Sequence, residues 1–286
     1  MATYYLNSDT GDNANAGTSA LPWETMTYAH TTATDGDTII CQDSTAEYAF
    51  STIIFTKSLS IEGVSTTGVV FAAGSTDTQN RWHCNKTPAL SLSVKNITFT
   101  TMKTQNGGTY KNIIDSSNLT VDNCIFKNIK FAGSGIVGSE IVNGLNDNNV
   151  TVTNCSFYGF IKTSTTNVVI CDGYLSGDTG TYTFTNNTIV DNDTTVTSSE
   201  DAFFNVYVGQ YADWIIKNNI FYKAVEGELV SFSHASTTFE NNCSYNFTRV
   251  PDGDNNITSD PLFVDAANDN FNLRPSSPCF DTATLI

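Results

Sequence analysis

LSVKNITF (92–99), LTVDNCIF (119–126), VTVTNCSF (150–157), YTFTNNTI (182–189) and WIIKNNIF (214–221) are versions of one segment, in which an apolar residue is followed by x-Asn-x-x-apolar. LSIEGV (59–64) and TTFENNCS (237–244) carry Gly63 and Asn241 at the same place. From Gly63 through Asn96, Asn123, Asn154, Asn186 and Asn218 to Asn241, the frame advances by 33, 27, 31, 32, 32 and 23 residues. Self-similarity at such a period marks a repeat architecture, whose units stack because none can bury its apolar face alone.

A second apolar run precedes most copies: NIID (112–115), EIVN (140–143), NVVIC (167–171), FFNVYV (203–208) and LVSF (229–232). Two or three short strands per unit are too few for a four-stranded propeller blade. No window between them carries the 3.6-residue apolar period of a crossover helix. The fold expected is therefore all-β, a single right-handed parallel β-helix whose coils stack as parallel strands about 4.8 Å apart. Residues two apart share a face of a strand, which puts Val121 with Asn123 and Ile216 with Asn218. The six frame asparagines are accordingly expected as an interior ladder of stacked amides. Cys124 and Cys155, adjacent in that stack, are expected as two free thiols, because parallel stacking holds Cβ atoms farther apart than a disulfide needs.

Composition narrows the partners. A formal charge of −16, with arginine only at Arg81, Arg249 and Arg274, would repel a phosphate backbone, so nucleic acid is not an expected partner. No apolar run is long enough for membrane insertion, and the opening MATYYLNSDTGD has neither the basic nor the apolar part of a signal peptide, whether one was removed or never present. Seven cysteines with no CxxC or Cys/His zinc spacing indicate free or partly paired thiols.

The ends carry a resemblance. YYLNSDTGDNANAGTSALPWETMTYA followed by DGDTIICQ resembles the opening of many secreted and surface proteins with parallel β-helix repeats. SDPLFVDAANDNFNLRPSSPCFDTAT resembles their closing segment. With the repeat, this likeness to the pectate lyase-like superfamily covers nearly the whole chain. It implies a single domain: an N-terminal strand and cap over 1–38 with a capping helix near Trp23–Ala29, coils over 39–250, and a closing segment over 251–286. It implies little about activity, since such scaffolds host lyases, hydrolases, phage tailspikes and adhesins.

For an enzyme, the resemblance implies carboxylates for Ca²⁺ and an Arg or Lys that removes the proton α to a uronate carboxyl. No arginine lies between Asn85 and Thr248, which leaves lysine. Seven or eight residues past the frame lie Lys103, Lys130, Lys162, Asp193 and Glu226, an outward column in which Lys130 or Lys162 is the candidate base and Asp193 can pair with Lys162. The other reading of this column is a solvated turn with charges of both signs. Asp191, Asp193, Asp201, Glu226 and Glu228 are candidate Ca²⁺ ligands or an exposed acidic rim, and they are also the candidate carboxylates for glycoside hydrolysis. Tyr158 and Tyr222, each just past the apolar end of its repeat, read as outward stacking surfaces for sugar rings, with Asp193 and Glu226 beside them.

Other motifs read as structure more readily than as chemistry. DTGDNAN (9–15) and PDGDNN (251–256) are oxygen-rich but lack the twelfth-position glutamate of an EF-hand, and turn chemistry accounts for them. His30, His83 and His234 have no triad spacing. Arg81, Trp82 and His83 form a compact basic-aromatic cluster, either a sugar platform or a packed loop.

Three functions remain open. The leading one is a surface-exposed or virion-associated β-helix that binds or displays itself to cell-surface glycans, with no cofactor required. The second is a polysaccharide lyase or glycoside hydrolase working on an acidic polysaccharide in a lateral groove. The third is an architectural, adhesive or fibre-like role. Extracellular, cell-surface or virion placement follows from each, and a tailspike-like homotrimer follows from the resemblance alone.

Overall fold

A computed structural model describes residues 1–75, 80–84, 89–104, 113–131, 142–144, 149–162, 170–173, 180–192, 203–206, 212–231 and 237–280, with 142–144, 172–173, 205–206 and 230–231 described by their backbone alone. The chain is a parallel β-solenoid. Its first sheet has nine strands, from Thr3–Leu6 and Thr38–Cys41 through Leu59–Gly63, Ser91–Lys95, Asn118–Asp122, Val150–Thr153, Thr181–Thr185 and Asp213–Lys217 to Thr237–Glu240. The second has eight, including Thr98–Lys103, Ile125–Lys130, Ser156–Tyr158, Thr188–Asp191 and Ile220–Glu228. The third consists of a four-stranded piece that includes Trp82–Cys84 and Ile114–Ser116, and a three-stranded piece of Cys171–Gly173, Phe204–Val206 and Val230–Ser231.

Register explains the core. Val94, Val121, Val152, Phe184, Ile216 and Phe239 pair in succession across the first sheet, and all are buried. Phe99, Phe126, Phe157, Ile189 and Phe221 do the same across the second. The rings of Phe126 and Phe157 stack at 4.9 Å with 3° between their planes, which is the strand spacing expressed in side chains. Each buried phenylalanine stabilises by about 1.5–3 kcal/mol through area alone. One apolar core thus runs from Leu6 to Phe239.

The expected asparagine ladder is corrected by one residue. Asn96, Asn123, Asn154, Asn186, Asn218 and Asn241 all have φ between 49° and 58°, the left-handed region that asparagine tolerates. They form the bend between first and second sheets, and Asn123, Asn154 and Asn186 are exposed. A left-handed residue breaks the alternation of a strand, so the side chain that follows it points inward. Those next residues are Ile97, Cys124, Cys155, Asn187, Asn219 and Asn242, all buried. Asn187 Nδ2 donates to Asn219 Oδ1 (3.0 Å), Asn219 to Asn242 (3.0 Å) and Asn242 to Asn256 (3.3 Å). Each amide also donates to a first-sheet carbonyl, those of Val152, Phe184, Ile216 and Phe239 in turn, at 2.9 Å. Cys124 and Cys155 occupy the same column, their thiols turned to the carbonyls of Val94 and Val121.

At the N-terminus a helix spans Met26–Thr32, where Thr25 accepts from the Tyr28 amide and Met26 and Ala29 enter the core. Trp23 stacks on Tyr4 at 4.4 Å. The oxygens of DTGDNAN are used by backbone amides: Asp12 accepts from Ala14, and Asn13 from Glu24 and Thr25. Asp9 accepts from Thr45 and Ala46. No helix among the described residues is long and apolar enough to cross a membrane.

Candidate functional site

The expected charged column divides between two sides of the wall. Lys130 pairs in register with Lys103 on one coil and with Ile161, not Lys162, on the next. Lys162, one residue further, turns inward. Its Nζ lies 2.8 Å from Asp191 Oδ2, with side chains only 2% and 3% exposed. The candidate base Lys162 is thus inside the wall, neutralised by a carboxylate assigned from sequence to calcium. Lys223, in register with Asp191, is also buried, its Nζ 5.5 Å from the Phe203 ring centroid. Glu226 is exposed, and Glu228 accepts from Arg249 at 3.2 Å. Asp193 and Asp201 lie outside the described residues. Among the described residues, no group of three or more His, Cys, Asp or Glu gathers in a way that would hold a metal ion.

Tyr158 and Tyr222 do face outward from the second sheet, but they are covered. The antiparallel hairpin Phe263–Asp265 and Asn270–Leu273 folds back over them. Phe271 stands edge-on to Tyr158 at 5.0 Å and Phe263 to Tyr222 at 5.7 Å, while Asn192 Nδ2 donates to Ala266 O at 2.7 Å. Val190, between the two tyrosines in this outward column, is buried. Burial raises both phenol pKa values, with Asp269 adding to Tyr158 and Asp260 to Tyr222.

The outward face of the third sheet carries a polar pair that sequence reasoning passed over. Trp82 and Cys84 point into the core, so Trp82 is no sugar platform, and His83 between them points the other way. His83 pairs in register with Asp115, and Nδ1 to Oδ1 is 2.5 Å. The Asp115 carboxylate and the ring nitrogen share this hydrogen bond, which fixes the orientation of the imidazole. The residues are 3% and 1% exposed. Register continues this column to Asn143, and the positions of Asp172, Asn205 and Ser231 align in the three-stranded piece. The signal available in sequence was a polar residue centred in the apolar triplets Trp82-His83-Cys84 and, with Ser116 turned inward, Ile114-Asp115-Ser116.

The first sheet presents the longest ordered polar face. Thr38, Ser60, Ser93, Thr120, Thr151 and Thr183 follow one another in register, six hydroxyls on six successive strands, before Ile215 and Thr238. Each is partly exposed. At about 4.8 Å per strand the six span roughly 24 Å. Beside them run Ile40, Glu62, Lys95, Asp122, Thr153, Thr185, Lys217 and Glu240, a column in which charges of both signs alternate. Its members engage one another, Lys217 with Glu240 at 2.9 Å and Thr153 Oγ1 with Asp122 at 2.9 Å. Such a face has no strong field of either sign. It offers donors and acceptors repeated along the solenoid axis.

No protein-family model matches the chain, and no curated protein matches it in sequence. Among solved structures, a mannuronic acid-specific family 6 polysaccharide lyase from human gut microbiota is similar in fold, with TM-score 0.55 and 12% identity over 86% of this chain and 54% of that one. A family 6 lyase from Pseudopedobacter saltans aligns at 16% identity over 77% of this chain and 51% of its own, TM-score 0.47. Pectate lyase Pel9A aligns at 14% over 97% and 90%, TM-score 0.39. This chain spans about half the length of the two family 6 lyases. The fold is a parallel β-helix, and identities this low carry the fold alone.

Proposed function

We propose that this protein binds an uncharged polysaccharide along the outward face of its first sheet. The observation that carries the reading is the unbroken register of six hydroxyls from Thr38 to Thr183. A linear polymer of sugar hydroxyls meets a linear array of protein hydroxyls, and many weak hydrogen bonds add along one axis. The net charge of −16 selects against acidic polymers. The reading needs no cofactor, and it places the protein outside the cell, on a cell or virion surface, where such polymers are met. Co-sedimentation with insoluble cellulose, chitin, mannan and β-glucan tests it. Retention on at least one is expected, and absence from all four pellets would overturn it.

A second reading is favoured by the His83–Asp115 pair. Here the protein is a polysaccharide lyase in which His83, oriented by Asp115, takes the proton α to a uronate carboxyl while the electron pair expels the glycosidic oxygen. The solved structures of similar fold include lyases, which supports this class. Absorbance at 235 nm with pectate, alginate and other uronate polymers distinguishes the two: unsaturated product that disappears on His83→Gln favours catalysis, and no product on any polymer leaves binding.

A further inference from the structure

The closing segment meets the last coil at two cysteines. Cys243 opens the strand Cys243–Thr248 and is 1% exposed, and its thiol donates to Ser259 O at 3.3 Å. Cys279 is 8% exposed; its amide donates to Ser277 Oγ at 3.1 Å, and that hydroxyl donates to Pro261 O at 2.6 Å. Both residues therefore converge on the stretch Ser259–Pro261 from opposite ends of segment 243–279, where their thiols interact with each other. Between them in the chain lie Phe263 and Phe271, which cover the second sheet.

We infer that Cys243 and Cys279 are a disulfide-forming pair that fastens the closing segment, and with it Phe263 and Phe271, over Tyr158 and Tyr222. Cys124 and Cys155 also meet, the Cys124 amide donating to Cys155 Sγ at 3.4 Å, but inside the wall and away from the closing segment. Cys41, Cys84, Cys124, Cys155 and Cys171 are fully buried, and Cys124 and Cys155 each turn their sulfur onto a backbone carbonyl. Burial pushes the Cys155 thiol well above its usual range and that of Cys84 up to about 12, whereas hydrogen bonding to Cys243 and then Ser277 draws Cys279 below it.

The oxidant is a small-molecule disulfide such as oxidised glutathione. The Cys279 thiolate attacks one glutathione sulfur, forming a mixed disulfide and expelling one glutathione thiolate. Cys243, losing its proton to solvent, attacks the Cys279 sulfur and expels the second. The protein loses two protons and two electrons, and the glutathione disulfide, taking them up, becomes two thiols.

The full chain, reduced and then equilibrated with oxidised glutathione, should lose two hydrogens by intact mass and yield a Cys243–Cys279 cross-linked peptide. Its melting temperature should rise by about 5 °C or more, and amide exchange over Phe263–Leu273 should slow about tenfold. The variant C279S should melt like the reduced chain under both conditions. Stable glutathione adducts without the cross-link, or a Cys124–Cys155 peptide in its place, would overturn the inference. A cross-link that leaves exchange at Phe263–Leu273 unchanged would overturn the fastening.

Discussion

Asn219 donates from Nδ2 to Oδ1 of Asn242 at 3.0 Å, and its own Oδ1 accepts from the backbone and side chain of Asn187 at 2.9 and 3.0 Å. No exposed asparagine of the bend is so committed. Asn219→Leu removes partners from both neighbours inside the cylinder, and a loss of about 2–4 kcal/mol in urea unfolding is expected. Asn154→Gly, at φ 56° on the exposed bend, gives up one hydrogen bond to Asp122 Oδ1 and should cost about 1 kcal/mol or less.

That contrast shows what could be read from sequence. The solenoid was legible because the apolar frame returns on every coil, and the strand pairs it brings together, such as Val121 with Val152, form as expected. The asparagines were misassigned because alternation was carried through Asn123 and Asn154, whose left-handed backbone resets it. The site was less legible. The spacing to Lys162 is one residue longer than a continuous outward column allows, and nothing local in Tyr158 or Tyr222 announces that residues 263 and 271 will return to cover them. The hydroxyl column was present in Leu-Ser-Val-Lys, Leu-Thr-Val-Asp, Val-Thr-Val-Thr and Tyr-Thr-Phe-Thr, as the alternate positions of strands read for their apolar residues.

The Lys162–Asp191 pair should behave as a buried ion pair. Lys162→Met leaves Asp191 without this partner in the wall and should destabilise by about 3–5 kcal/mol. The double variant with Asp191→Leu should recover most of that loss. A single variant as stable as the parent in thermal melts would place Lys162 in solvent.

The hairpin over the second sheet should be visible in phenol titration. Burial raises the Tyr158 and Tyr222 pKa values, so both ionise above the ordinary value of about 10. Replacing Phe263 and Phe271 by alanine should bring those two ionisations down toward it, read as absorbance at 295 nm. Titration curves that superimpose would mean that the hairpin does not cover the tyrosines.

Acid stability should depend on Asp37. Its carboxylate accepts from the amides of Ala2 and Thr34 and from the Thr34 hydroxyl, and the pKa falls to about 2. Because the folded pKa is depressed, the stabilisation is present above the unfolded value of about 4 and disappears as pH falls from there toward 2. Asp37→Asn should lower the melting temperature at pH 7 and flatten its decline over that window. An unchanged acid limb would assign the loss to other carboxylates.

The measurement that bears most directly on function is polysaccharide retention by the triple variant Thr120→Val, Thr151→Val and Thr183→Val. Valine keeps the shape and strand preference of threonine at these outward positions, so melting should change little while three consecutive hydroxyls, the last half of the array, are lost. Retention on the polymer that holds the parent chain should fall about tenfold or more, as several hydrogen bonds of about 0.5–1.5 kcal/mol each are removed. Undiminished retention by a well-folded triple variant would contradict the account and move the binding surface off the first sheet.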